Sequence, residues 1–123
     1  MILVDTSIWI DHLRASEAEM VDLLMASQVL AHPFVIGELA LGSLRAREQV
    51  IASLKNLPQA VQARDDEVLD LIAAKELFGL GIGYIDAHLI ASTLLTAGSK
   101  LWTRDKRLAG AAARVGIPWK ALQ

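Results

Sequence analysis

Four carboxylates interrupt the most apolar segments of this 123-residue chain, and they limit more than any other feature what the chain can fold into. They are Asp5, Glu38, Asp86 and Asp105. A carboxylate among apolar side chains needs a hydrogen-bonding partner, a raised pKa or a cation, because moving its charge out of water is costly. No lysine or arginine lies within four residues of Asp5, Glu38 or Asp86. The fold must therefore supply the partners that the local sequence lacks.

Short apolar runs alternate with longer amphipathic segments along the chain. The runs that are typical of strands cover residues 1–5, 29–32, 60–63, 100–103 and 116–119. The helical patterns cover residues 8–13, 17–26, 34–47, 48–54, 65–77, 84–97 and 105–115. This alternation predicts an α/β fold of three layers, with a central parallel sheet of four to five strands flanked by helices. The length fits a single domain over residues 1–123.

The composition excludes several classes of protein. With 54 % hydrophobic and 21 % charged residues the chain is not disordered, and without cysteine it has no disulfide, thiolate metal site or cysteine nucleophile. The apolar stretch over residues 80–98 contains Asp86, which disfavours a membrane span, and the chain does not start with a secretion signal. We therefore expect a cytoplasmic protein without a membrane segment. Its apolar excess indicates contact with a partner or a second copy.

The predicted topology brings the four acids to one edge of the sheet. Asp5 and Asp105 each end a strand, and open α/β sheets bind ligands at the carboxyl ends of their strands. Asp86 lies in the first turn of a helix after a glycine-rich loop, and Glu38 extends from another helix. Four carboxylates at one place repel each other strongly unless a cation lies between them. Oxygen ligands favour a hard ion, so the set predicts Mg²⁺, for which Mn²⁺ can substitute.

Such a centre predicts a type of reaction. Mg²⁺ held by carboxylates contacts phosphate oxygens and lowers the pKa of a bound water, which favours hydrolysis of a phosphodiester bond by in-line attack. The hydroxyls of Thr6, Ser7 and Thr103 stand close to Asp5 and Asp105 in the sequence. We expect these hydroxyls to orient the metal-binding carboxylates or the water from a second layer.

The order of these motifs resembles that of the PIN-domain nucleases, and within them the VapC-type toxins of bacterial toxin–antitoxin pairs. The similar segments are Val-Asp-Thr-Ser, Val-Ile-Gly-Glu-Leu-Ala-Leu-Gly, Gly-Tyr-Ile-Asp-Ala-His-Leu-Ile-Ala and Trp-Thr-Arg-Asp. The resemblance covers nearly the whole chain and implies a single PIN-like nuclease domain over residues 1–123. It implies a metal-dependent endoribonuclease in which Asp5, Glu38, Asp86 and Asp105 are the catalytic, metal-binding acids.

The resemblance also indicates a substrate and partners. Arg104, Lys106 and Arg107 flank the fourth acid and are expected to bind RNA phosphates. Arg107 stands where some relatives carry a further acid, which weakens the case for a second metal ion. The resemblance implies inhibition by a cognate antitoxin protein, and a homodimer is common among such proteins.

Other interpretations of the same residues stay open. Each acid alone has a structural explanation: Asp5 and Asp105 as helix caps, Glu38 as a core acid bonded to the backbone, and Asp86 as a partner of the helix dipole. The alternatives at the level of function are a non-catalytic PIN-like binding module, or a PIN nuclease that acts in RNA processing or on DNA. A receiver or a dehalogenase-like phosphatase fits poorly, because its first strand would be followed by differently paired acids.

Two histidines and a further acid are predicted to be structural. His32 ends a predicted strand, directly before Pro33, and His88 lies roughly 200° around its helix from Asp86, so His88 faces elsewhere. Asp11 is assigned to an ion pair with Arg14 on the same helix.

Overall fold

A parallel sheet surrounded by helices forms the centre of the molecule. The computed structural model describes residues 1–120. In this range the strands are β1 (Ile2–Val4), β2 (Val29–Leu30) and β3 (Lys100–Trp102). The helices are α1 (Thr6–Arg14), α2 (Ala18–Met25), α3 (Pro33–Ala40), α4 (Arg47–Asn56), α5 (Asp65–Ala74), α6 (Tyr84–Leu95) and α7 (Lys106–Arg114). No helix in the described range combines the length and the apolar character that a membrane span requires.

The three strands run parallel in the order β2-β1-β3, which confirms the predicted α/β class. The central strand β1 pairs Leu3 with Leu30 on one side and with Leu101 on the other. Leu3 and Val4 are fully buried. A central parallel strand is covered on both faces, and this explains why β1 is a continuous apolar run rather than an alternating one.

The prediction of four to five strands was wrong in number. Within residues 1–120 the sheet has three strands, and each of its edges is extended only by an isolated parallel bridge, Ala31 with Gln59 and Leu101 with Pro118. A proline stands at each of these edges, Pro58 beside one bridge and Pro118 in the other. Pro58 has no N–H to donate, so pairing with β2 cannot continue from Gln59 back to residue 58. At the other edge, Leu101 bonds to Ile117 and Trp119 on either side of Pro118.

The predicted helix over residues 34–47 is interrupted. α3 ends at Ala40 and α4 begins at Arg47. Gly42 follows closely after the end of α3, where glycine commonly terminates a helix. Ala46, immediately before α4, adopts the left-handed conformation with φ 50° and ψ 46°. The chain therefore turns sharply between the two helices, and this turn borders a cleft described below.

The topology determines which ends of the elements meet. α1, α3 and α7 begin shortly after the carboxyl ends of β1, β2 and β3. α6 precedes β3 and packs against it, so its first turn lies at the same edge of the sheet at which the strands end. Four segments that are far apart in sequence thus begin or end at one edge of the sheet.

His32 joins the end of β2 to α3, in the structural role that the sequence indicated. Its ring is fully buried; Nδ1 accepts the N–H of Phe34 at 3.0 Å, and Nε2 lies 3.0 Å from the hydroxyl of Ser92. Because Nδ1 accepts, the neutral ring carries its proton on Nε2 and donates it to Ser92. Burial, together with the nearby ring of His88, lowers the pKa of His32 to about 4.

Replacing Ala46 by glycine is expected to stabilise the protein. A left-handed backbone strains alanine but not glycine, so Ala46→Gly should raise the free energy of unfolding by about 1 kcal/mol. The matched control is Ala52→Gly in the exposed middle of α4, which should lower it by about 1 kcal/mol. Urea unfolding followed by circular dichroism measures both, and a loss of stability in Ala46→Gly would contradict this account of the turn.

The burial of His32 makes stability depend on pH. Its pKa is lower in the folded state than the unfolded value of 6.5, so the unfolded chain binds the proton more readily. The stability that His32 contributes is present above pH 6.5 and is lost as the pH falls towards about 4, by up to about 3 kcal/mol. His32→Asn keeps an acceptor for the N–H of Phe34 but does not titrate here. Urea unfolding between pH 7 and pH 4 should show a shallower loss in this variant, and equal slopes would contradict the assignment.

Candidate active site

Asp5 is the buried member of the acid set, at 6 % exposure, and it stands between β1 and α1. One carboxylate oxygen, Oδ2, accepts hydrogen bonds from the hydroxyls of Ser7 at 2.9 Å and Thr103 at 2.7 Å. Thr103 follows β3, the strand that pairs with β1. The two hydroxyls thus fix Asp5 from two separate segments of the chain.

Glu38 extends from α3 to the solvent-exposed side of the same edge. Its Oε1 accepts a hydrogen bond of 2.7 Å from the hydroxyl of Thr6, the first residue of α1. Contacts between α1 and α3 support this link. Glu38 is exposed rather than buried in the core, although its neighbours on α3, Val35 and Leu39, are buried.

Asp86 lies in the first turn of α6, and its Oδ2 accepts the N–H of Gly83 at 3.1 Å. Burial raises the pKa of the Asp86 carboxyl, the hydrogen bond from Gly83 lowers it in part, and the negative charges of Asp5, Asp105 and Glu38 raise it further. The other three acids are therefore close enough to Asp86 to oppose its ionisation. The hydrogen bonds of Thr6 to Glu38 and of Thr103 to Asp5 and Asp105 agree with this, because they tie the other three acid-bearing segments together.

Asp105 precedes α7 and caps it. Its Oδ1 accepts the backbone N–H groups of Arg107 at 2.9 Å and Leu108 at 3.2 Å. Its own N–H donates to the hydroxyl of Thr103 at 3.0 Å. The capping function proposed as a structural alternative is thus present, and it uses one oxygen of the carboxylate.

The four carboxylates share one pattern. In each, a single oxygen is hydrogen-bonded to the protein, while the other oxygen has no protein partner within residues 1–120. No three carboxylate or imidazole groups in the described part of the chain lie close enough together, as the side chains stand, to enclose an ion. We call Asp5, Glu38, Asp86 and Asp105 together the acid ring. Their open oxygens and mutual repulsion fit a hard divalent cation, which would draw those oxygens inward.

Arg104 is held by carboxylates. Its guanidinium forms ion pairs with Asp11 on α1 and with Glu17 just before α2, and its backbone N–H donates to Ser7 Oγ at 3.1 Å. The predicted pair of Asp11 with Arg14 was wrong, because Asp11 bonds to a cation far away in sequence instead of one on its own helix. The charge of Arg104 is therefore largely neutralised.

Lys106 and Arg107 are exposed at the start of α7. The side chain of Arg107 crosses Gly81, and a Cβ added at that glycine would lie only 3.0 Å from the Cδ and Nη1 atoms of Arg107. Gly81 also has a φ of +78°. Lys106 borders a cleft of about 410 Å³ beside β3, together with Thr103 and Trp102. Both cations thus lie around the end of β3, at the edge where the acids meet.

A family model and curated relatives match nearly the whole chain. The model of the PIN domain matches residues 2–114. This chain belongs to the PIN-domain family. Ribonuclease VapC32 of Mycobacterium tuberculosis, in strains CDC 1551 / Oshkosh and ATCC 25618 / H37Rv, is 50 % identical over 117 residues, which cover 95 % of this chain and 94 % of that protein. The resemblance to VapC-type PIN proteins that the sequence indicated is confirmed.

In this PIN domain a cleft of about 590 Å³ opens between α1, α3 and α4, and we call it the α1–α4 cleft. Ile10 and Leu13 form part of its apolar wall, and Arg14 and Arg45 add positive charge. Glu38 also lines it, so the cleft leads directly to the candidate site. The turn that contains the left-handed Ala46 follows Arg45 and forms one boundary.

Sequence reasoning gave Asp11 the wrong partner and missed two further acids of this PIN domain, Glu17 and Asp65. Asp11 and Glu17 hold Arg104, and Asp65 bonds to Tyr84 and a further residue of α6. Asp65 stands first in α5, where an acid already satisfies the helix dipole. Nothing in its local spacing signals that it contacts another helix.

Proposed function

We propose that this protein is a metal-dependent endoribonuclease and the toxin of a toxin–antitoxin pair. The observation that carries the proposal is the convergence of four carboxylates, each with one oxygen oriented by the protein and the other open, around Asp86. Half of the aligned residues are identical in a curated protein named a ribonuclease of the VapC type, over nearly the whole chain. Family membership, the acid pattern and that name all favour cleavage of RNA.

The metal ion we assign is Mg²⁺, with Mn²⁺ as a substitute, held by Asp5, Glu38, Asp86 and Asp105. The ligands are oxygen atoms only, which favours these ions over zinc. Burial raises the pKa of Asp86 and the neighbouring acids raise it further, so a cation among the acids would favour the ionised form that binds it. When bound, such an ion activates water and contacts phosphate oxygens.

The surrounding hydroxyls orient the acids in this scheme. Ser7 and Thr103 fix one oxygen of Asp5, and Thr6 fixes one oxygen of Glu38. A carboxylate fixed in this way loses little conformational freedom when its other oxygen binds, so the site is partly preorganised. Ser7 also links the acids to the β3–α7 connection, because it accepts the N–H of Arg104.

Phosphate binding is assigned chiefly to Lys106 and Arg107. Both are exposed, and neither forms a salt bridge to a carboxylate within residues 1–120. Arg104 was predicted to share this role, but its pairing with Asp11 and Glu17 favours a mainly structural one. An exposed arginine or lysine contributes to affinity by displacing counterions from the nucleic acid.

The antitoxin is assigned to the α1–α4 cleft. Apolar side chains and two arginines line it, and these features suit a peptide that carries both apolar and acidic residues. A peptide lying there would reach Glu38 and cover part of the site. We also propose a homodimer in the cytoplasm, which the large apolar fraction of the chain supports.

Removal of one negative charge from the acid ring is expected to abolish RNA cleavage. Asp5→Asn and Asp86→Asn each replace a charged ligand by a neutral amide that binds Mg²⁺ poorly, so kcat should fall by at least about 100-fold. The control is Asp22→Asn on the exposed surface of α2, which should be as active as the original protein. Cleavage of total RNA in the presence of excess MgCl₂ measures all three, and full activity in both Asp5→Asn and Asp86→Asn would refute the site.

The salt dependence of RNA binding should distinguish Lys106 and Arg107, which we assign to phosphate binding, from Arg104. Lys106→Ala and Arg107→Ala should each reduce the slope of log affinity against log salt concentration by about 1, because each loses a phosphate contact. Arg104→Ala should change the slope less and should lower the melting temperature, because it frees Asp11 and Glu17. Filter binding in the presence of Ca²⁺ measures the slopes. The assignment fails if Arg104→Ala has the largest effect on the slope.

A further inference from the structure

A hydrogen-bonded group outside the acid ring holds the start of α6. Asp65, the first residue of α5, accepts two hydrogen bonds on its Oδ1: one from the hydroxyl of Tyr84 at 2.7 Å and one from Nε2 of His88 at 3.0 Å. Tyr84 and His88 are four residues apart on α6 and lie on the same face of that helix. A single carboxylate oxygen therefore bonds to the first two turns of α6, and we call these three residues the α6 clamp.

His88 gives the α6 clamp its rigidity. Its ring is 3 % exposed and packs edge-on between Phe34 of α3, with ring centres 4.9 Å apart, and Tyr84, at 4.7 Å. Its Nδ1 has no hydrogen-bond partner in the described part of the chain. Within residues 1–120 the ring therefore forms one hydrogen bond, from Nε2 to Asp65. The α6 clamp thus joins the starts of α3, α5 and α6.

Asp86 lies between the two clamped residues. Its own hydrogen bond, to the N–H of Gly83, is internal to the helix end and does not fix that end relative to the rest of the protein. Core packing holds the inner side of this turn, because Ala87 and His88 are buried and Ile82 of the preceding loop packs against the core. On the exposed side, the side-chain hydrogen bonds that join the first two turns of α6 to another element within residues 1–120 are those to Asp65.

We propose that Asp65 is a positioning residue, which holds the first turn of α6 so that Asp86 stands at the correct distance from Asp5, Glu38 and Asp105. The inference rests on the proposed function, since it concerns the geometry of the same metal-binding acids. Asp65 does not touch the acid ring, and its side chain is 79 % exposed. A hydrogen-bonded pair with that exposure contributes little to overall stability, so its effect on the site should exceed its effect on unfolding.

The test compares two neighbouring acids of α5. Asp65→Ala removes both bonds to α6, whereas Asp66→Ala removes an equally exposed carboxylate that pairs with Arg64 beside it. Mn²⁺ affinity is measured by isothermal titration calorimetry, and kcat and KM are measured on an RNA that the original protein cleaves. Asp65→Asn is the conservative variant, because its amide oxygen can still accept from Tyr84 and His88.

Asp65→Ala should weaken Mn²⁺ binding and lower kcat by about 10-fold each, with KM for RNA unchanged, as expected when the support of a metal ligand is lost. Asp66→Ala should match the original protein, and Asp65→Asn should recover most of the loss. Equal Mn²⁺ affinity and equal kcat in Asp65→Ala and Asp66→Ala would overturn the inference while leaving the acid site intact. So would losses in Asp65→Ala that are fully accounted for by a lower unfolding temperature and that Asp65→Asn does not recover.

Failure of the proposed function gives a different result. If the original protein binds Mn²⁺ but cleaves no RNA, the ribonuclease assignment fails, and the Mn²⁺ affinities of the two alanine variants still decide the role of Asp65. If the original protein binds no Mn²⁺, both the metal site and the positioning role are refuted.

Discussion

The parallel pairing of β1 with both of its neighbours is the constraint on which the site depends. β1 is only three residues long, yet it is central, its residues are buried, and Asp5 follows it directly. Its pairing with β3 brings Thr103 within hydrogen-bonding distance of Asp5, although the two are 98 residues apart in sequence. The acid at the end of β1 therefore stays oriented only while the sheet is formed.

The electrostatics of the site oppose the folding that creates it. Packing the helices against the sheet partly buries Asp86 near three other acids, and burial and then their negative charges raise its pKa. The protein reduces this cost through donors aimed at one oxygen of each acid: side-chain hydroxyls for Asp5 and Glu38, and backbone N–H groups for Asp86 and Asp105. The second oxygen of each carboxylate has no protein partner within residues 1–120, as a cation-binding role would require. A purely structural set of acids would be expected to pair with arginine or lysine instead, as Asp11 and Glu17 do.

Local pattern was sufficient to predict the class of fold and the positions of most helices, because both follow from the period of apolar residues. It failed where a single backbone position decides the outcome. Two expected strands are only isolated bridges, one of them beside Pro58, and the left-handed Ala46 stands in the turn after an expected helix that ends early. Each of these residues is visible in the sequence, but its effect depends on whether a neighbouring strand needs the N–H that proline lacks, or on whether the turn forces a positive φ.

Long-range pairs were the second limit on prediction. Asp11 was assigned to the nearest cation on its own helix, but the fold brings Arg104 to it across 93 residues, and no spacing rule contains that information. The contact of Asp65 with α6 could not be predicted either, because the helix dipole already explains a run of acids at the start of a helix. The four acids proposed as metal ligands stand out by type and order, whereas the contacts of Asp11, Glu17 and Asp65 could be recognised only once the elements were assembled.

Arg107 combines a position that the sequence shows with a side-chain contact that only the fold provides. Arg107 is positively charged, as a phosphate-binding residue must be, and it follows the fourth acid, Asp105, by two residues. What fixes its side chain is a different segment, the loop before α6, where Gly81 has no Cβ to obstruct it. Any larger residue at position 81 would strain the positive φ and displace the guanidinium together. The loop that leads to Asp86 thus also borders the guanidinium of Arg107, so a substitution at Gly81 would disturb both the approach to α6 and the position of this cation.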